Sequence, residues 1–382
     1  MSVFQTTGKI IFGPGELSGL TRIVESEGVG GVALVTDSGV LAAGLAGKAV
    51  SQIEAAGASV HIYSDIEPDP AFETLDRAIA ELSMFPVEMV VGIGGGSCLD
   101  VAKALALVLP TGTDPRQLIG LGQAPHKGLP CIAIPTTAGT GSEVTGIAIF
   151  SDSRDHVKKG IVTEHLLPDV AIVDPELTLG LPAGPTAASG MDALTHAVEA
   201  YTSQKSNPIS DALALEAARL ISANLLDAYR EPGNLEARAA VMHGSLLAGM
   251  SFASAGVSAT HALAYPLGGK FAVAHGMANA LLLPSVMRFN LPAAKDRYAA
   301  IERRLGTSGQ DEKALAEAFV CRVSQLASDL GMAKSLGEFG VTEADAKSMA
   351  VDAAAISRLM DNNPRAATAR DLEAIYLECL HR

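Results

Sequence analysis

Residues 87–108 read VEMVVGIGGGSCLDVAKALALV, an apolar run that ends in glycines and continues as a helical pattern. Gly94, Gly95 and Gly96 stand where a buried strand would end. Glycine lets backbone N–H groups approach a phosphate closely, and the N-terminus of a helix carries positive partial charge. The stretch therefore predicts a strand–loop–helix unit that cradles a phosphate-bearing ligand. A plain glycine-rich turn is the alternative, because the full GxGxxG fingerprint is absent.

The helix that follows this loop is predicted over residues 97–108. Ser97 is the predicted N-cap, and Asp100 lies three residues further on, as in a capping box. A P-loop is disfavoured because the GK[ST] ending is absent. In an open parallel sheet, ligands bind beyond the carboxyl ends of the strands, which is where this loop lies.

Further apolar runs alternate with helical patterns through the first ~180 residues. Strands are predicted in residues 31–37, 59–63, 87–97, 131–143 and 171–177. Helices are predicted between them, over residues 38–56 and 71–82. Nearly continuous apolar strands that alternate with helices predict a parallel sheet covered on both faces.

The residue composition and the hydrophobic pattern of the sequence change near residue 184. Residues 168–190 contain four prolines and three glycines, too many for a helix or a central strand. Beyond them the chain is rich in Ala and Leu with helical spacing, for example over 210–226 and 315–330. We therefore predict an α/β domain over residues 1–184 and an all-helical domain over residues 185–382.

The composition restricts the class of protein. Of 382 residues, 48% are hydrophobic, and 42 acidic residues against 28 basic ones give a net charge of −14. Such an acidic surface repels nucleic acids and anionic membranes. The four cysteines have no metal-type spacing, and the N-terminus shows no secretory pattern, so we expect a reduced cytoplasmic protein with buried thiols.

Residues 239–269 contain no Asp, Glu, Lys or Arg and are long enough to cross a bilayer. They consist mostly of Ala, Gly and Ser, with two histidines, and such a segment inserts poorly. We interpret it as tightly packed helices of a globular domain rather than as a membrane span.

A carboxylate and three imidazoles form the candidate metal set. Asp192 and His196 are four residues apart, so on a helix both project from one face. A helix-start aspartate and a core histidine are the alternative for this pair alone. His261 and His275 flank Pro266 and paired glycines, which we expect to break the helix and place the two histidines on separate elements. This donor set suits Fe(II) or Zn(II). His243 lies in the same uncharged segment as His261, and the pattern does not exclude it as a metal ligand.

Two other positions suit a nucleotide. Asp37 ends the predicted strand 31–37. In dinucleotide-binding enzymes an acidic residue at this place binds the ribose hydroxyls and disfavours a cofactor with an extra phosphate. The alternative is that Asp37 is an ordinary turn aspartate. A second glycine-containing loop carries four hydroxyl side chains, which would hold a ribose or a phosphate. They are Thr136, Thr137, Thr140 and Ser142. The alternative is an ordinary hydroxyl-rich loop without a ligand.

Across essentially its whole length the sequence resembles the iron-containing (group III) alcohol dehydrogenases. The motifs are KIIFGPGEL (9–17), GGGSCLDVAK (94–103), PTTAGTGSEVT (135–145), KKGIVTEHLLPDVAIVDP (158–175), GMDALTHAVEA (190–200), HALAYPLGG (261–269), HGMANALLLP (275–284) and NNPR (362–365). The resemblance implies a Rossmann-like α/β N-terminal domain and an all-α C-terminal domain, with the active site in the cleft between them. Dehydroquinate synthases share this architecture.

The resemblance also implies the site residues. The family's metal ligands fall on Asp192, His196, His261 and His275. Its cofactor contacts fall on Asp37, Gly95, Gly96, Ser97, Asp100, Thr136, Thr137, Thr140 and Lys158. Aspartate at position 37 resembles the members that prefer NAD over NADP. A fourth ligand favours Fe²⁺, with Zn²⁺ as the alternative, because zinc relatives typically use one aspartate and two histidines.

Several members of the family have a proton-relaying histidine where this chain has Tyr265. We expect Tyr265 either to relay protons, as a poorer base than imidazole, or to be an aromatic wall of the site. Lys270 is either an anchor for a substrate carboxylate, which would favour a hydroxyacid or a keto acid such as maleylacetate, or a surface lysine.

The resulting hypothesis is hydride transfer between NAD(H) and a small alcohol or carbonyl compound on a divalent metal, in a homodimer or larger homo-oligomer. A zinc lyase of the dehydroquinate-synthase type would need a phosphate pocket rich in Lys and Arg, and residues 239–269 supply neither. A nucleotide-binding protein that has lost its chemistry is the other alternative.

Overall fold

A computed structural model of the chain describes residues 3–154 and 157–381, so that His156 lies outside the described residues. The described residues form two compact units. One consists of Gln5–Leu181, and the other runs from Pro182 onward and includes the few described residues before Gln5.

The described residues of the first unit contain nine strands. They are β1 (Lys9–Phe12), β2 (Gly31–Val35), β3 (Ser59–Tyr63), β4 (Met89–Gly94), β5 (Gly120–Leu121), β6 (Cys131–Pro135), β7 (Ile147–Asp152), β8 (Val157–Val162) and β9 (Val170–Val173). Six of them form one sheet in the order β1-β9-β6-β4-β2-β3, and every neighbouring pair is parallel. The predicted parallel sheet is confirmed.

Five α-helices also lie in the part of the first unit that the structure describes. They are α1 (Leu20–Glu27), α2 (Ser38–Ala42), α3 (Leu45–Ala55), α4 (Phe72–Leu82) and α5 (Gly96–Val108). Alternate side chains of β2 enter opposite cores: Ala33 and Val35 join one apolar cluster, while Val32 and Leu34 join the other. Helices α4 and α5 contribute to the first cluster, and α1 and α3 to the second, so both faces of the sheet are covered.

Several sequence-based boundaries in this unit are wrong. The helix predicted over 38–56 is split into α2 and α3, because Gly44 adopts a φ of +72° between them. The strand predicted over 171–177 ends at Val173, since Pro175 opens a 3-10 helix. A second, three-stranded sheet of order β5-β8-β7 was not predicted at all.

The second unit consists of helices. They are α6 (Ala183–Thr202), α7 (Pro208–Arg230), α8 (Leu235–Ala255), α9 (Ala259–Phe271), α10 (His275–Arg304), α11 (Glu312–Asp329), α12 (Glu343–Ala354), α13 (Ser357–Met360) and α14 (Ala369–Leu380). Small residues allow close packing around α7. A Cβ at Gly190 of α6 would lie 2.2 Å from Leu225, and one at Gly244 of α8 would lie 2.6 Å from Ile221.

Two expectations about helix breaks are wrong. Helix α6 begins at Ala183, inside the segment expected to be irregular, because Pro185 is in the first turn, where no backbone N–H is needed. Helix α9 runs through Pro266 and both glycines to Phe271. The break lies after it, at Ala272, which has a φ of 52°. His261 and His275 are therefore on separate helices, but for a different reason.

Within the described ranges no single helix is long and apolar enough to cross a membrane. Helices α8 and α9 together meet the length and composition required, but they are bent by 101° at their junction. Cys98, Cys131 and Cys379 are buried, whereas Cys321 is exposed, which corrects the expectation that the thiols are buried.

Candidate metal centre and cofactor loops

Three imidazoles surround one carboxylate oxygen in the second unit. Asp192 and His196 are one turn apart on α6, and Nε2 of His196 lies 3.9 Å from Oδ1 of Asp192. Nε2 of His261, from α9, lies 3.8 Å from the same oxygen, and Nε2 of His275, the first residue of α10, lies 3.6 Å from it. We call these four residues the candidate metal centre.

Three of the four residues of the candidate metal centre are buried, and His275 is partly exposed. Asp192, His196 and His261 are each no more than 5% exposed. The ligand atoms of Asp192, His261 and His275 lie within 4.8 Å of one another, a spacing that one metal ion can bridge. Burial raises the pKa of Asp192, but the three histidines and Asn279 outweigh it and leave that pKa below its ordinary value. Neither His196 nor His243 is part of this group of three.

Glu199 fixes the orientation of His261. Its carboxylate accepts a hydrogen bond from Nδ1 of His261 at 2.7 Å and further bonds from the amides of Ser258 (2.9 Å) and Thr260 (2.6 Å). A carboxylate on Nδ1 leaves Nε2 as the free lone pair that a metal requires. Burial raises the pKa of Glu199, but His261 and the other donors leave it below its ordinary value, so the group is anionic.

Asn279, four residues after His275 on α10, tests whether a cation fits among these groups. Its Nδ2 lies 2.7 Å from Oδ1 of Asp192 and 3.3 Å from Nε2 of both His261 and His275. Its Oδ1 is buried and has no hydrogen-bond partner. The positively polarised Nδ2 of Asn279 thus lies among three hydrogen-bond acceptors, and the unpartnered Oδ1 belongs to the same side chain. The donor set fits a divalent transition metal.

Tyr265 lies on α9, one turn after His261. Its ring centroid is 6.3 Å from that of His275, and its hydroxyl accepts a hydrogen bond from Arg358 at 3.3 Å. Lys270 is in the last turn of α9 rather than on a loop, and its Nζ lies 2.6 Å from Asp352. Because that charge is already paired, Lys270 is not a free anchor for a substrate carboxylate.

The glycine loop (residues 94–97) and the threonine loop (residues 136–142) are in contact in the first unit. A Cβ at Gly96 would lie 2.7 Å from Cγ2 of Thr140, and one at Gly95 would lie 3.7 Å from Thr137. The amide of Thr136 donates to the carbonyl of Gly94 at 2.9 Å. A side chain at Gly96 would force the two loops apart, whereas one at Gly95 would make an ordinary van der Waals contact.

The N-terminus of α5 corrects the predicted cap. Gly95, not Ser97, is the N-cap, and it makes no side-chain capping bond. Asp100 is engaged elsewhere: it accepts hydrogen bonds from the hydroxyl of Ser142 at 2.5 Å and the amide of Ile149 at 2.9 Å. A helix N-terminus without a side-chain cap, preceded by glycines, fits a phosphate group.

Asp37 has a local structural role at the end of β2. It is the N-cap of α2, and its Oδ1 accepts from the amide of Val40 at 2.9 Å. Its other oxygen lies 3.1 Å from the thiol of Cys98. Burial and the charge of Asp37 raise the pKa of Cys98, so the thiol stays protonated and donates to the carboxylate.

Ser97 and Lys158, both predicted to contact the cofactor, are joined through Asp69. The amide of Asp69 donates to the hydroxyl of Ser97 at 3.2 Å, and its carboxylate lies 2.7 Å from Nζ of Lys158. Asp69 adopts a φ of 55°, a left-handed conformation that costs a non-glycine residue roughly 1 kcal/mol. The contacts of Asp69 with two candidate cofactor residues hold it in this conformation.

Sequence reasoning missed three polar residues near these sites. Glu199 follows Asp192 and His196 at helical spacing, so the stripe of three ionisable residues on an apolar helix was a usable signal. Asn279 follows His275 at the same spacing as His196 follows Asp192. Asp69 had no such signal, because its contacts come from segments distant in sequence.

Two family profiles together cover most of the chain. The profile of the iron-containing alcohol dehydrogenases matches residues 7–175, and that of the C-terminal part of the Fe-containing alcohol dehydrogenase family matches residues 186–380. The chain belongs to the iron-containing alcohol dehydrogenase family. The family resemblance seen in the sequence is confirmed. As a member of this family, the protein is a metal-dependent alcohol oxidoreductase.

Individual members of the iron-containing alcohol dehydrogenase family are similar over nearly the full length. Long-chain-alcohol dehydrogenase 1 of Geobacillus thermodenitrificans is 40% identical over 382 residues, 97% of this chain and 96% of that protein. The crystal structure of a 1,3-propanediol oxidoreductase has a TM-score of 0.96 at 36% identity, covering 99% of this chain and 100% of that one. A sulfoacetaldehyde reductase of Bifidobacterium kashiwanohense, solved with NAD⁺, has a TM-score of 0.90 at 32% identity, covering 100% and 99%.

Proposed function

We propose that the protein transfers a hydride between NAD(H) and a small primary alcohol or aldehyde, with Fe²⁺ as the resident metal. The observation that carries this proposal is the placement of Asn279 Nδ2 among acceptors from Asp192, His261 and His275. A bound divalent ion would polarise the substrate oxygen and lower the pKa of the alcohol, while the nicotinamide would exchange the hydride with the carbinol carbon.

The four residues of the candidate metal centre would hold the ion. Asp192 supplies the negative charge, and His196, His261 and His275 supply neutral imidazole nitrogens. A set of one carboxylate and three imidazoles supports Fe²⁺ over Zn²⁺ in this proposal, since the zinc relatives are expected to use one histidine fewer. Glu199 would keep His261 in the tautomer that leaves Nε2 available.

The cofactor would be held by the glycine and threonine loops. Gly95, Gly96 and Ser97 present backbone amides at the start of α5, the hydroxyls of Thr137 and Thr140 lie beside them, and Thr136 is hydrogen-bonded through its amide to Gly94. Lys158 adds a positive charge, and Asp100 braces the threonine loop through Ser142. Asp37 disfavours a 2′-phosphate by charge repulsion, so we propose NAD rather than NADP.

Tyr265 is the proposed proton-handling side chain. Its hydroxyl accepts from Arg358, so its own proton is directed elsewhere, and its ring lies beside His275. Replacing Tyr265 with Phe is expected to lower kcat while leaving metal binding intact. An unchanged kcat would assign Tyr265 to the wall of the site instead.

The decisive experiment is an anaerobic assay of metal-stripped protein. Addition of Fe(II) or Zn(II), followed by NADH and a series of small aldehydes, should restore NADH oxidation with Fe(II) giving the higher rate. His261→Ala should abolish turnover and weaken metal binding while leaving NADH binding nearly intact. Metal-independent turnover, or NADH binding that disappears with His261→Ala, would contradict the proposal.

The remaining expectations belong to the same proposal. We infer that cofactor binding resides in residues 1–184 and metal binding in residues 185–382. The free cysteines support a reducing, cytoplasmic compartment. A homodimer or larger homo-oligomer is the proposed assembly, and analytical ultracentrifugation would test it.

A further inference from the structure

Arg358 brings a positive charge to Tyr265, whose ring neighbours His275 of the candidate metal centre. It lies on the short helix α13, and its Nη2 donates to the hydroxyl of Tyr265 at 3.3 Å. The guanidinium carbon is 5.9 Å from the centroid of the Tyr265 ring, whose other neighbour is His275 at 6.3 Å. One side chain therefore separates Arg358 from a candidate metal ligand.

The charge of Arg358 is not neutralised within the unit. Over residues 3–154 and 157–381, no carboxylate forms an ion pair with it, although the side chain is exposed and the chain carries 14 more acidic than basic residues. Lys270 of α9 and Arg288 of α10 differ, because they are paired with Asp352 and Glu378. The guanidinium fork is therefore available to an anion from solution.

The surroundings of the metal centre are asymmetric. The ring of His196 stacks on Phe252 with centroids 4.3 Å apart, which gives that ligand an apolar neighbour. The ring of His275 instead has Tyr265 and, beyond it, the charge of Arg358. A substrate with an uncharged reacting end and an anionic far end matches this distribution.

We propose that Arg358 is a specificity-determining residue that binds the carboxylate of the substrate, so that the substrate class is a hydroxy acid and the corresponding oxo acid. This inference rests on the proposed function. A planar guanidinium matches a carboxylate with two parallel hydrogen bonds. In the reaction, the carbinol C–H gives a hydride to NAD⁺, the hydroxyl proton passes by way of Tyr265 to solvent, and the C–O bond becomes a carbonyl. The carboxylate is unchanged.

The test compares two aldehydes with the same carbon chain, butanal and 4-oxobutanoate, in the metal-loaded enzyme with NADH. Wild type should have the higher kcat/KM with 4-oxobutanoate. Arg358→Gln should lower the ratio of kcat/KM for 4-oxobutanoate over butanal about 10- to 100-fold, mostly through KM, as expected for one charge-assisted contact. Arg358→Lys should lower the ratio less. Lys270→Gln, which removes a paired charge from the same region, is the matched control and should keep the ratio of the wild type.

A calorimetric titration of 4-oxobutanoate into wild type and Arg358→Gln distinguishes the role of Arg358 in binding from the proposed function. Binding that weakens in Arg358→Gln supports the role of Arg358, even if neither aldehyde is reduced, and the absence of turnover would then overturn only the proposed function. Equal binding by the two proteins, or a kcat/KM ratio that Arg358→Gln leaves unchanged, would overturn the assignment of Arg358.

Discussion

The carboxylate of Glu199 lies 2.7 Å from Nδ1 of His261, and both groups are almost entirely buried. Glu199→Gln keeps the size of the side chain and removes the charge. We expect the Kd for Fe(II) or Zn(II) to rise about 10- to 100-fold, since residues that hydrogen-bond to metal-ligating side chains contribute that much to metal affinity. Chelator competition under anaerobic conditions measures it.

Glu302→Gln is the matched control for that prediction. Glu302 is also buried, but it is paired with Arg322 at 2.6 Å. This variant should lose stability and keep the metal affinity of the wild type. A Glu199→Gln protein with unaltered metal Kd would show that Glu199 only caps the start of α9.

The contact of the glycine and threonine loops predicts the effect of Gly96→Ala. The new methyl would lie 2.7 Å from Cγ2 of Thr140, so the loops must separate. Overpacking of this kind costs about 1–3 kcal/mol, and we expect the Kd for NADH to rise about 10-fold. Fluorescence titration measures it. Gly47→Ala, where the Cβ meets nothing within 4 Å, should bind NADH like wild type. Equal affinities in both variants would contradict this role of the loops.

The ion pair of Asp69 and Lys158 predicts that Asp69→Asn tightens NADH binding. Asparagine tolerates the left-handed backbone of Asp69, so the variant removes the charge alone. Lys158 would then attract the cofactor phosphates without a competing carboxylate. We expect the Kd to fall about 2- to 5-fold, in line with the small energies of partly exposed pairs.

Asp65→Asn is the control for this charge effect, because Asp65 is on the same loop but pairs with Arg77 at 3.0 Å. It should leave the Kd for NADH unchanged. Weaker NADH binding by Asp69→Asn would mean that Asp69 positions Lys158 rather than competing for it.

Glu143 makes the stability of the first unit depend on pH. Burial raises its pKa to about 7, a change that the nearby Lys103 only partly offsets. The folded state therefore retains a proton that the unfolded state releases, so the free energy of unfolding falls as pH rises from 4.5 to about 7. Glu143→Gln should remove this loss and stabilise the protein by up to about 3 kcal/mol at pH 8.

Urea unfolding at pH 5 and pH 8 tests the prediction for Glu143. The difference in the free energy of unfolding between Glu143→Gln and wild type should be small at pH 5 and large at pH 8. Glu164→Gln, an exposed glutamate of the same unit, should show no such pH dependence. An identical difference at both pH values would contradict a raised pKa for Glu143.

The elements that sequence predicted well are those governed by local periodicity. The apolar run before the glycine loop is a buried strand, and Asp192 and His196 lie on one helix face, because both patterns depend on residues a few positions apart. The family motifs indicated which distant histidines belong to the set. Periodicity alone would not have separated His243 from His261.

The errors arise where tertiary contacts override local rules. Pro266 does not end α9, and the hydroxyl of Tyr376 donates to the carbonyl of Leu263 within the same turn. Ser97 is not a cap, and its hydroxyl instead accepts from the amide of Asp69. Sequence reasoning left open whether Lys270 anchors a substrate carboxylate or is a surface lysine, and its pairing with Asp352 could only be seen once α12 was placed next to α9.

Lys103 is buried in α5, and its Nζ reaches the carbonyl oxygens of Ser142 (2.9 Å), Thr145 (3.3 Å) and Ile147 (2.5 Å) and the carboxylate of Asp100 (3.1 Å). Carbonyl groups converging in this way hold potassium ions in channel filters. Here the cation is covalently part of the helix and cannot dissociate. The ammonium group of Lys103 thus takes the place that a bound monovalent cation would have among these carbonyl groups. We therefore expect turnover at equal ionic strength to be the same in sodium, potassium or choline salts.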